Sequence, residues 1–528
     1  MYIIIYDFGT SSVKTCLFEI DSEIRLVAGA SAEYGLYISD DGGAEQDTEE
    51  WWSAICSTTR ELFKKSEVEP RQIEGLAFCS QMQGSVFVDE HGNALRRPMN
   101  YLDQKRVKEY QACMGSGLIK VSGYSLYKLA RNMLVNYAGS VSAKDPVWKY
   151  KWVENNEPEV FRKIYKWLDI GDYLAARCTG RIVRTADSAF ATFLYDTRKG
   201  KEGWNKGLLK MYKVRPEHMP EIIDCTDQVG GLTERAAKAL GLVPGIPVFG
   251  GGDTTFVNIG AGCTKPGDTH IYVGTSGWVS TFMDHQAVDI NAMITGVLSA
   301  IHGYYNYYAE LETAGKCFEW VIQHLALDEI GIYLSHAKVT DVESRYLSIY
   351  DYLSAEMSKV PPGANGVLFT PWLHGNRCPF EDSKAGGMFF NIRVDNNKGD
   401  IMRAVMEGIC YHLRWLLECV MRKVKTSDTI RFVGGGSLSP VTCQALADIT
   451  GRTIETIDSP QSAGAMGAAI VVAAGLKGKD VAELSQRLIT ANHAYAPNPE
   501  NREAYERNYR VFKGLYKANA KSFREINA

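Results

Sequence analysis

The stretch Gly250-Gly251-Gly252-Asp253-Thr254-Thr255 is followed about twenty residues later by Tyr272-Val273-Gly274-Thr275-Ser276-Gly277. Consecutive glycines let a backbone bend sharply and leave space beside it, so the Asp253 carboxylate is expected at the edge of a cleft, where a catalytic base belongs. The second stretch is apolar and β-branched up to a Gly-Thr-Ser-Gly turn. Such turns present backbone N–H groups and hydroxyls to a phosphate. A base beside a phosphate cradle points to phosphoryl transfer onto a hydroxyl.

The same pattern opens the chain. Tyr2-Ile3-Ile4-Ile5-Tyr6 runs into Asp7-Phe8-Gly9-Thr10-Ser11-Ser12-Val13-Lys14, and Thr15-Cys16-Leu17-Phe18-Glu19 alternates as a return strand. Glycine and hydroxyl residues between apolar runs also make ordinary hairpin turns. The duplicated Gly-Thr-Ser core, however, points to two related halves closing on one nucleotide. A third element is Ile430-Arg431-Phe432-Val433 followed by Gly434-Gly435-Gly436-Ser437-Leu438-Ser439. Glycines after a buried strand either pack the next turn tightly on the sheet or admit a flat ring or a phosphate. Pro440 to Thr450 reads as a helix with Gln444 and Asp448 one turn apart on one face.

The elements that must position these residues follow from periodicity and punctuation. Thr48, with Glu49 and Glu50 behind it, is expected to cap a helix running to about Lys65. Ile73 to Cys79 reads as a buried strand with Gln81-Met82-Gln83-Gly84 as the loop at its end, the place where ligands collect in α/β sheets. Val86 to Asp89 with His91-Gly92-Asn93 reads as a hairpin. Residues 107–225 read as a largely helical inserted lobe, and Gly241 to Val248 as the approach strand to the central glycines. The expected division is an N-terminal domain over 1–249 and a C-terminal domain over 250–528. The second domain is expected to hold an amphipathic helix from Gly315 to Leu325, a longer one from Asp400 to about Val424, and a charged amphipathic helix after Pro497.

Composition narrows the class. A chain of 528 residues with 45% apolar content can bury more than one core. A formal net charge of -4 gives no electrostatic case for a nucleic-acid partner or an anionic membrane surface. The longest apolar run, Ala468 to Leu476, is too short to span a bilayer. The twelve cysteines form neither C-x-x-C pairs nor zinc-type clusters, and most, including Cys79, Cys263 and Cys410, sit in apolar surroundings, so a reducing, cytosolic setting is expected. The chain opens on a strand without a signal-peptide pattern.

Taken in order, these segments resemble the FGGY family of carbohydrate kinases, within the actin, hexokinase and Hsp70 superfamily. The carriers are Asp7-x-Gly9-Thr10-Ser11-Ser12-x-Lys14, Glu45-Gln46-Asp47 before Trp51-Trp52, Gly250 to Asp253, Gly274-Thr275-Ser276, Gly434 to Gly436, Gln444-x-x-Ala447-Asp448 and Ser462-Ala463-x-Ala465-Met466-Gly467. The run from Gly366 to Pro379 and Arg403-Ala404-x-x-Glu407-Gly408 are most similar to the xylulokinase branch. The resemblance implies an α/β fold of two actin-like, ribonuclease-H-type domains around a catalytic cleft. It also implies ATP and Mg2+ as partners of the reaction, a small ketose, polyol or aldonate as acceptor, and a homodimer as a common assembly.

By that resemblance Asp253 is the general base and Asp7 holds the magnesium through water. Thr10, Ser11, Ser12 and Lys14 surround the transferring phosphoryl group, while Gly274 and Thr275 hold the more distal phosphates. Gly315 and Glu319 lie where the family contacts nucleotide, and Gly434, Gly435, Gly436 and Ser439 match the adenosine-binding turn. Gln81, Met82, Gln83, Asp103, Asp253 and Thr254 form the acceptor side. Gln83 and Thr254 stand where xylulokinases usually carry His and Asn, and Ser439 replaces an asparagine frequent in glycerol kinases. An alternative of another class is a nucleotide-gated ATPase of actin or Hsp70 type, in which Asp253 only activates water.

Overall fold

The computed structural model describes residues 1–121, 123–325 and 349–527. In the first half, β1 (Tyr2–Phe8), β2 (Ser12–Ile20) and β3 (Ile24–Glu33) form an antiparallel meander. Helix α1 (Thr48–Lys65) crosses one face and leads to β4 (Ile73–Ser80), which pairs in parallel with β1. After the inserted lobe, with helices α2 (Pro146–Asn156) and α3 (Ile170–Thr179), β5 (Pro247–Gly252) joins β4 in parallel and passes directly into helix α4 (Asp253–Gly260). The isoleucine run of β1 is buried throughout because the sheet is covered on both faces. Ile4, Tyr6 and Phe8 pack toward α1, and Ile3 and Ile5 pack on the opposite side.

The second half repeats the plan. Strands β6 (Thr269–Val273), β7 (Gly277–Met283) and β8 (Tyr305–Leu311) are antiparallel neighbours. Helices α5 (Gly315–His324) and α6 (Lys398–Met421) precede β9 (Thr429–Val433), which pairs in parallel with β6. Helix α7 (Pro440–Thr450) leads to β10 (Thr453–Ile457), parallel to β9, and α8 (Ala463–Lys477) and α9 (Arg502–Ile526) follow. The central orders are β5-β4-β1-β2-β3 and β10-β9-β6-β7-β8, the same arrangement twice. This is the duplicated actin-like, ribonuclease-H-type α/β fold.

One helix ties the halves together. Helix α8 belongs to the second half but packs on β1 and β4 of the first sheet and crosses α4. The crossing is a backbone contact: a Cβ on Gly260 would lie 1.8 Å from the Ala463 carbonyl oxygen, and one on Gly467 would lie 1.9 Å from that of Phe256. Small residues are required there because the opposing atoms are main chain.

Several local expectations are corrected. Helix α1 is capped by Asp47, whose carboxylate accepts from the Glu49 N–H at 2.8 Å, and Thr48 is already helical. The lobe is not simply helical. Its strand Lys166–Leu168 pairs with Val86–Val88, and Val183–Thr185 pairs with Glu221–Ile223, while Phe87, Trp148, Tyr150, Trp167 and Tyr212 form an aromatic core. Strand β5 runs to Gly252 as part of the first sheet. The glycines of β5 are extended, not bent. Gly251 and Gly252 are needed for close approach, since a Cβ on Gly251 would meet the Phe256 ring at 2.5 Å and one on Gly252 the Met82 sulfur at 2.1 Å.

Candidate active site

Parallel register brings the chemistry to one sheet edge. Phe8 pairs with Ser80, and Ser80 with Gly252, so the turn after β1, the loop after β4 and Asp253 at the start of α4 emerge side by side. This edge is the carboxyl end of the parallel strands, where α/β sheets bind ligands.

Asp253 is fixed by its own helix start. The Thr254 N–H donates to its Oδ1 at 2.7 Å, and Oδ2 accepts no hydrogen bond among the described residues. Burial, together with the charges of Asp7, Glu310 and Asp169, outweighs the Thr254 hydrogen bond and pushes the carboxyl up to about 7. The turn ahead of it is held by Asp187, whose carboxylate accepts from the Gly252 N–H at 2.7 Å. Asp7, at the end of β1, is likewise raised by burial, to about 6, with the Lys14 ammonium opposing. No side-chain hydrogen bond reaches Asp7 among the described residues. Two neighbouring carboxylates with unused oxygens suit a hydrated divalent cation on the Asp7 side and a proton acceptor on the Asp253 side.

The hairpin turn between β1 and β2 is anchored from below. Tyr34 donates to the carbonyls of Gly9 and Ser12 at 2.5 and 3.0 Å, and Gln46 donates to that of Thr10 at 2.7 Å. The Thr10 hydroxyl shares a hydrogen with Tyr101 at 3.0 Å, while Ser11 is exposed and Ser12 half-buried. Lys14 reaches across to the second half, where its Nζ donates to Ser462 Oγ at 2.9 Å.

The second turn lies in the other half. Gly274 and Thr275 join β6 to β7, and Thr275 is exposed. The Gly315 N–H donates to the Gly274 carbonyl at 2.8 Å, and those of Ala314 and Lys316 to Thr275 at 3.0 and 3.2 Å, which ties the start of α5 to this turn. Tyr272, just before it, stacks on Trp278 at 3.9 Å and has its phenol raised by burial and by the charges of Asp7 and Asp253. Glu319 lies on the second turn of α5, paired with Lys316 at 2.8 Å. The third turn leans on the second: Gly434 has φ 89°, and a Cβ there would lie 2.5 Å from the Val273 carbonyl oxygen. Gly435 has open space around its Cα, and a Cβ on Gly436 would meet Val273 at 2.7 Å. Ser439 caps α7 and contacts Ser354 Oγ at 2.8 Å.

Met82 Sδ lies 3.1 Å from Thr254 Oγ1, so the loop after β4 touches the start of α4 directly. Gln81 supports the turn between β1 and β2, donating from Nε2 to the Gly9 carbonyl at 2.7 Å. Gln83 is half-buried and has a left-handed backbone, φ 62°. Asp103 stands apart in kind: it is fully buried against Arg106, which is also fully buried.

Sequence reasoning missed Asp187, Tyr101 and the pair Glu310 and Arg377. Arg377 donates to Glu310 at 3.1 Å, and Lys144 of the lobe pairs with Glu312 at 3.0 Å. Burial opposes the Arg377 charge, but Glu310 outweighs it and holds the guanidinium above its usual range. These partners are remote in sequence, and no local spacing signals them.

Residues 2–260 match the N-terminal domain of the FGGY family of carbohydrate kinases, and residues 270–476 match its C-terminal domain. The chain belongs to that family and is an enzyme of the phosphotransferase class. It is 26% identical over 518 residues to the xylulose kinase of Bacillus subtilis, covering 98% of this chain and 96% of the relative. It is 24% identical over 536 residues to a gluconokinase of Bacillus licheniformis, covering 99% and 97%. The fold superposes on the xylulose kinase structure from Lactobacillus acidophilus with a TM-score of 0.84, 24% identity and 99% of each chain covered. No helix among the described residues is long and apolar enough to cross a membrane.

Proposed function

We propose that this protein transfers the γ-phosphoryl group of ATP to a hydroxyl of a small ketose, with D-xylulose as the acceptor and D-xylulose 5-phosphate as the product. The observation that carries the reading is the Asp253 carboxylate, raised to about 7 and placed between the acceptor loop and the phosphate turns. A carboxylate there is basic enough at neutral pH to take the hydroxyl proton as the oxygen attacks phosphorus. Thr10, Ser11, Ser12 and Lys14 supply donors to the transferring group from one half, and Gly274 and Thr275 from the other. The residues fit Mg2+ at Asp7, and the bound ion would neutralise charge on the phosphates. Gly315, Glu319, Gly434 to Gly436 and Ser439 form the nucleotide side.

The division into residues 1–249 for sugar and phosphate contacts and 250–528 for nucleotide binding belongs to the same proposal, as do the assigned roles of Gln81, Met82, Gln83, Asp103 and Thr254. The cations at the lobe boundary support an uncharged acceptor over an aldonate. Lys144 and Arg377 are each engaged by a glutamate, so neither offers an unpaired charge to a substrate carboxylate. A cytosolic setting is supported by cysteines that are all free thiols. A homodimer completes the reading, and light scattering tests it.

Steady-state ADP release over pentuloses, tetritols, glycerol and aldonates tests the substrate. D-Xylulose should give the highest kcat/KM. A higher value for gluconate or glycerol would replace the substrate while leaving the kinase intact.

A further inference from the structure

We propose that Lys149 and Asp169 are positioning residues that set acceptor recognition by clamping Gln83 in its left-handed conformation from two sides. The inference rests on the reading of Gln81 to Gly84 as the acceptor loop. Lys149, on α2, is fully buried, and its Nζ donates to the Gln83 carbonyl at 2.5 Å and to that of Asn100 at 2.6 Å. Asp169 precedes α3 and is 2% exposed. Its Oδ2 accepts from the Gln83 N–H at 3.1 Å, and its Oδ1 from those of Gly84 at 2.9 Å and Ile170 at 2.8 Å. Both backbone groups of Gln83 are therefore held by buried polar side chains, one on α2 and one at the start of α3.

A helix cap alone explains only part of this. Capping α3 needs the bond to Ile170 and the return bond from the Asp169 N–H to Asp172 at 3.2 Å. It does not need the bonds to Gln83 and Gly84, nor a lysine buried on the far side. Buried polar groups are retained where hydrogen bonds compensate them, and here the loop's peptide groups supply several of those bonds. Arg184, 3.7 Å from Asp169 Oδ2 and itself fully buried, completes the charge balance. The loop is also docked sterically, since a Cβ on Gly84 would meet Ile170 at 2.6 Å and the Asp169 carboxylate at 2.9 Å.

The clamp determines where the Gln83 side chain goes. A glutamine at positive φ leaves that region readily unless its neighbours hold it there. With its N–H and carbonyl engaged, the side-chain amide is the part of Gln83 with no partner among the described residues. That amide offers both a donor and an acceptor to a sugar hydroxyl. Releasing the clamp would redirect the amide and let Met82 shift against Thr254.

The test is steady-state kinetics on Lys149→Met and Asp169→Ser, each alone and with Gln83→Gly, over a set of ketoses at saturating Mg-ATP. Serine still caps a helix, so Asp169→Ser keeps α3 while losing the bridge to the loop. Each single variant should raise the acceptor KM by about tenfold and alter the order of preferred ketoses, with kcat and the KM for ATP changing less. Glycine holds positive φ without a clamp, so in the Gln83→Gly background Asp169→Ser should add less than about twofold. Equal losses in both backgrounds, or losses shared equally between sugar and ATP, would overturn the clamp. Gln83→Ala separates the two layers. If it changes acceptor preference while the clamp variants do not, the clamp is wrong. If it changes nothing for any sugar, the acceptor-loop reading and the clamp built on it both fall.

Discussion

Asp253 follows directly from a buried parallel strand, and this placement makes its carboxyl weakly acidic. A group raised to about 7 is protonated below that pH and cannot accept the hydroxyl proton. The acceptor kcat/KM should therefore fall by about tenfold per pH unit below pH 7 and level off above it. Asp7, raised to about 6, adds a second loss further down the same limb. Asp253→Asn keeps the shape and the Thr254 hydrogen bond but removes the acceptor, and should lower kcat by roughly 10² to 10⁴ with little change in nucleotide affinity. The variant should also lack the ionisation near pH 7. Near-normal turnover in Asp253→Asn would place the base elsewhere.

At the scale of elements, the crossing of α4 and α8 sets backbone directly against backbone. Gly467→Ala would drive a methyl group to 1.9 Å from the Phe256 carbonyl oxygen, and backbone on both sides leaves no side chain to give way. Overpacking of this kind costs about 1 to 3 kcal/mol or more, to be read as a lower urea midpoint at unchanged slope. Unchanged stability would mean that the helices slide apart freely. The elements themselves were largely legible in the sequence, because period-two alternation and Gly-Thr-Ser turns are local signals. So were Asp7 and Asp253, which stand at the ends of such strands. What was not legible is what holds them. Asp187 reaches Gly252 across 65 residues and Lys149 reaches Gln83 across 66, so folding alone brings these partners together. The three glycines of β5 were recognised as special, but the purpose of Gly251 and Gly252 depends on Phe256 and Met82 and could not be read from the run itself.

At the scale of the whole molecule, the two halves share a cleft and are joined at several points around it. Lys14 to Ser462 and Lys144 to Glu312 cross between them as charged contacts, with Thr295 donating to the Tyr137 carbonyl at 2.8 Å. Glu312 lies just before the segment that ties α5 to the Gly274 turn, so the Lys144 pair connects the lobe to the segment that holds the Gly274 turn. Lys144→Ala should weaken the mutual enhancement of sugar and ATP binding by about two- to fivefold, the range of a partly exposed ion pair. Calorimetry of ATP binding with and without sugar measures it, and an unchanged ratio would remove the pair from the coupling. The central claim concerns where the γ-phosphoryl group goes. Mass spectrometry of the products, with ADP and inorganic phosphate quantified in parallel, decides it. One sugar monophosphate for each ADP, with negligible ADP when sugar is omitted, is the predicted result. ADP matched by inorganic phosphate, with no phosphorylated sugar from any acceptor, would show an ATPase and contradict the account.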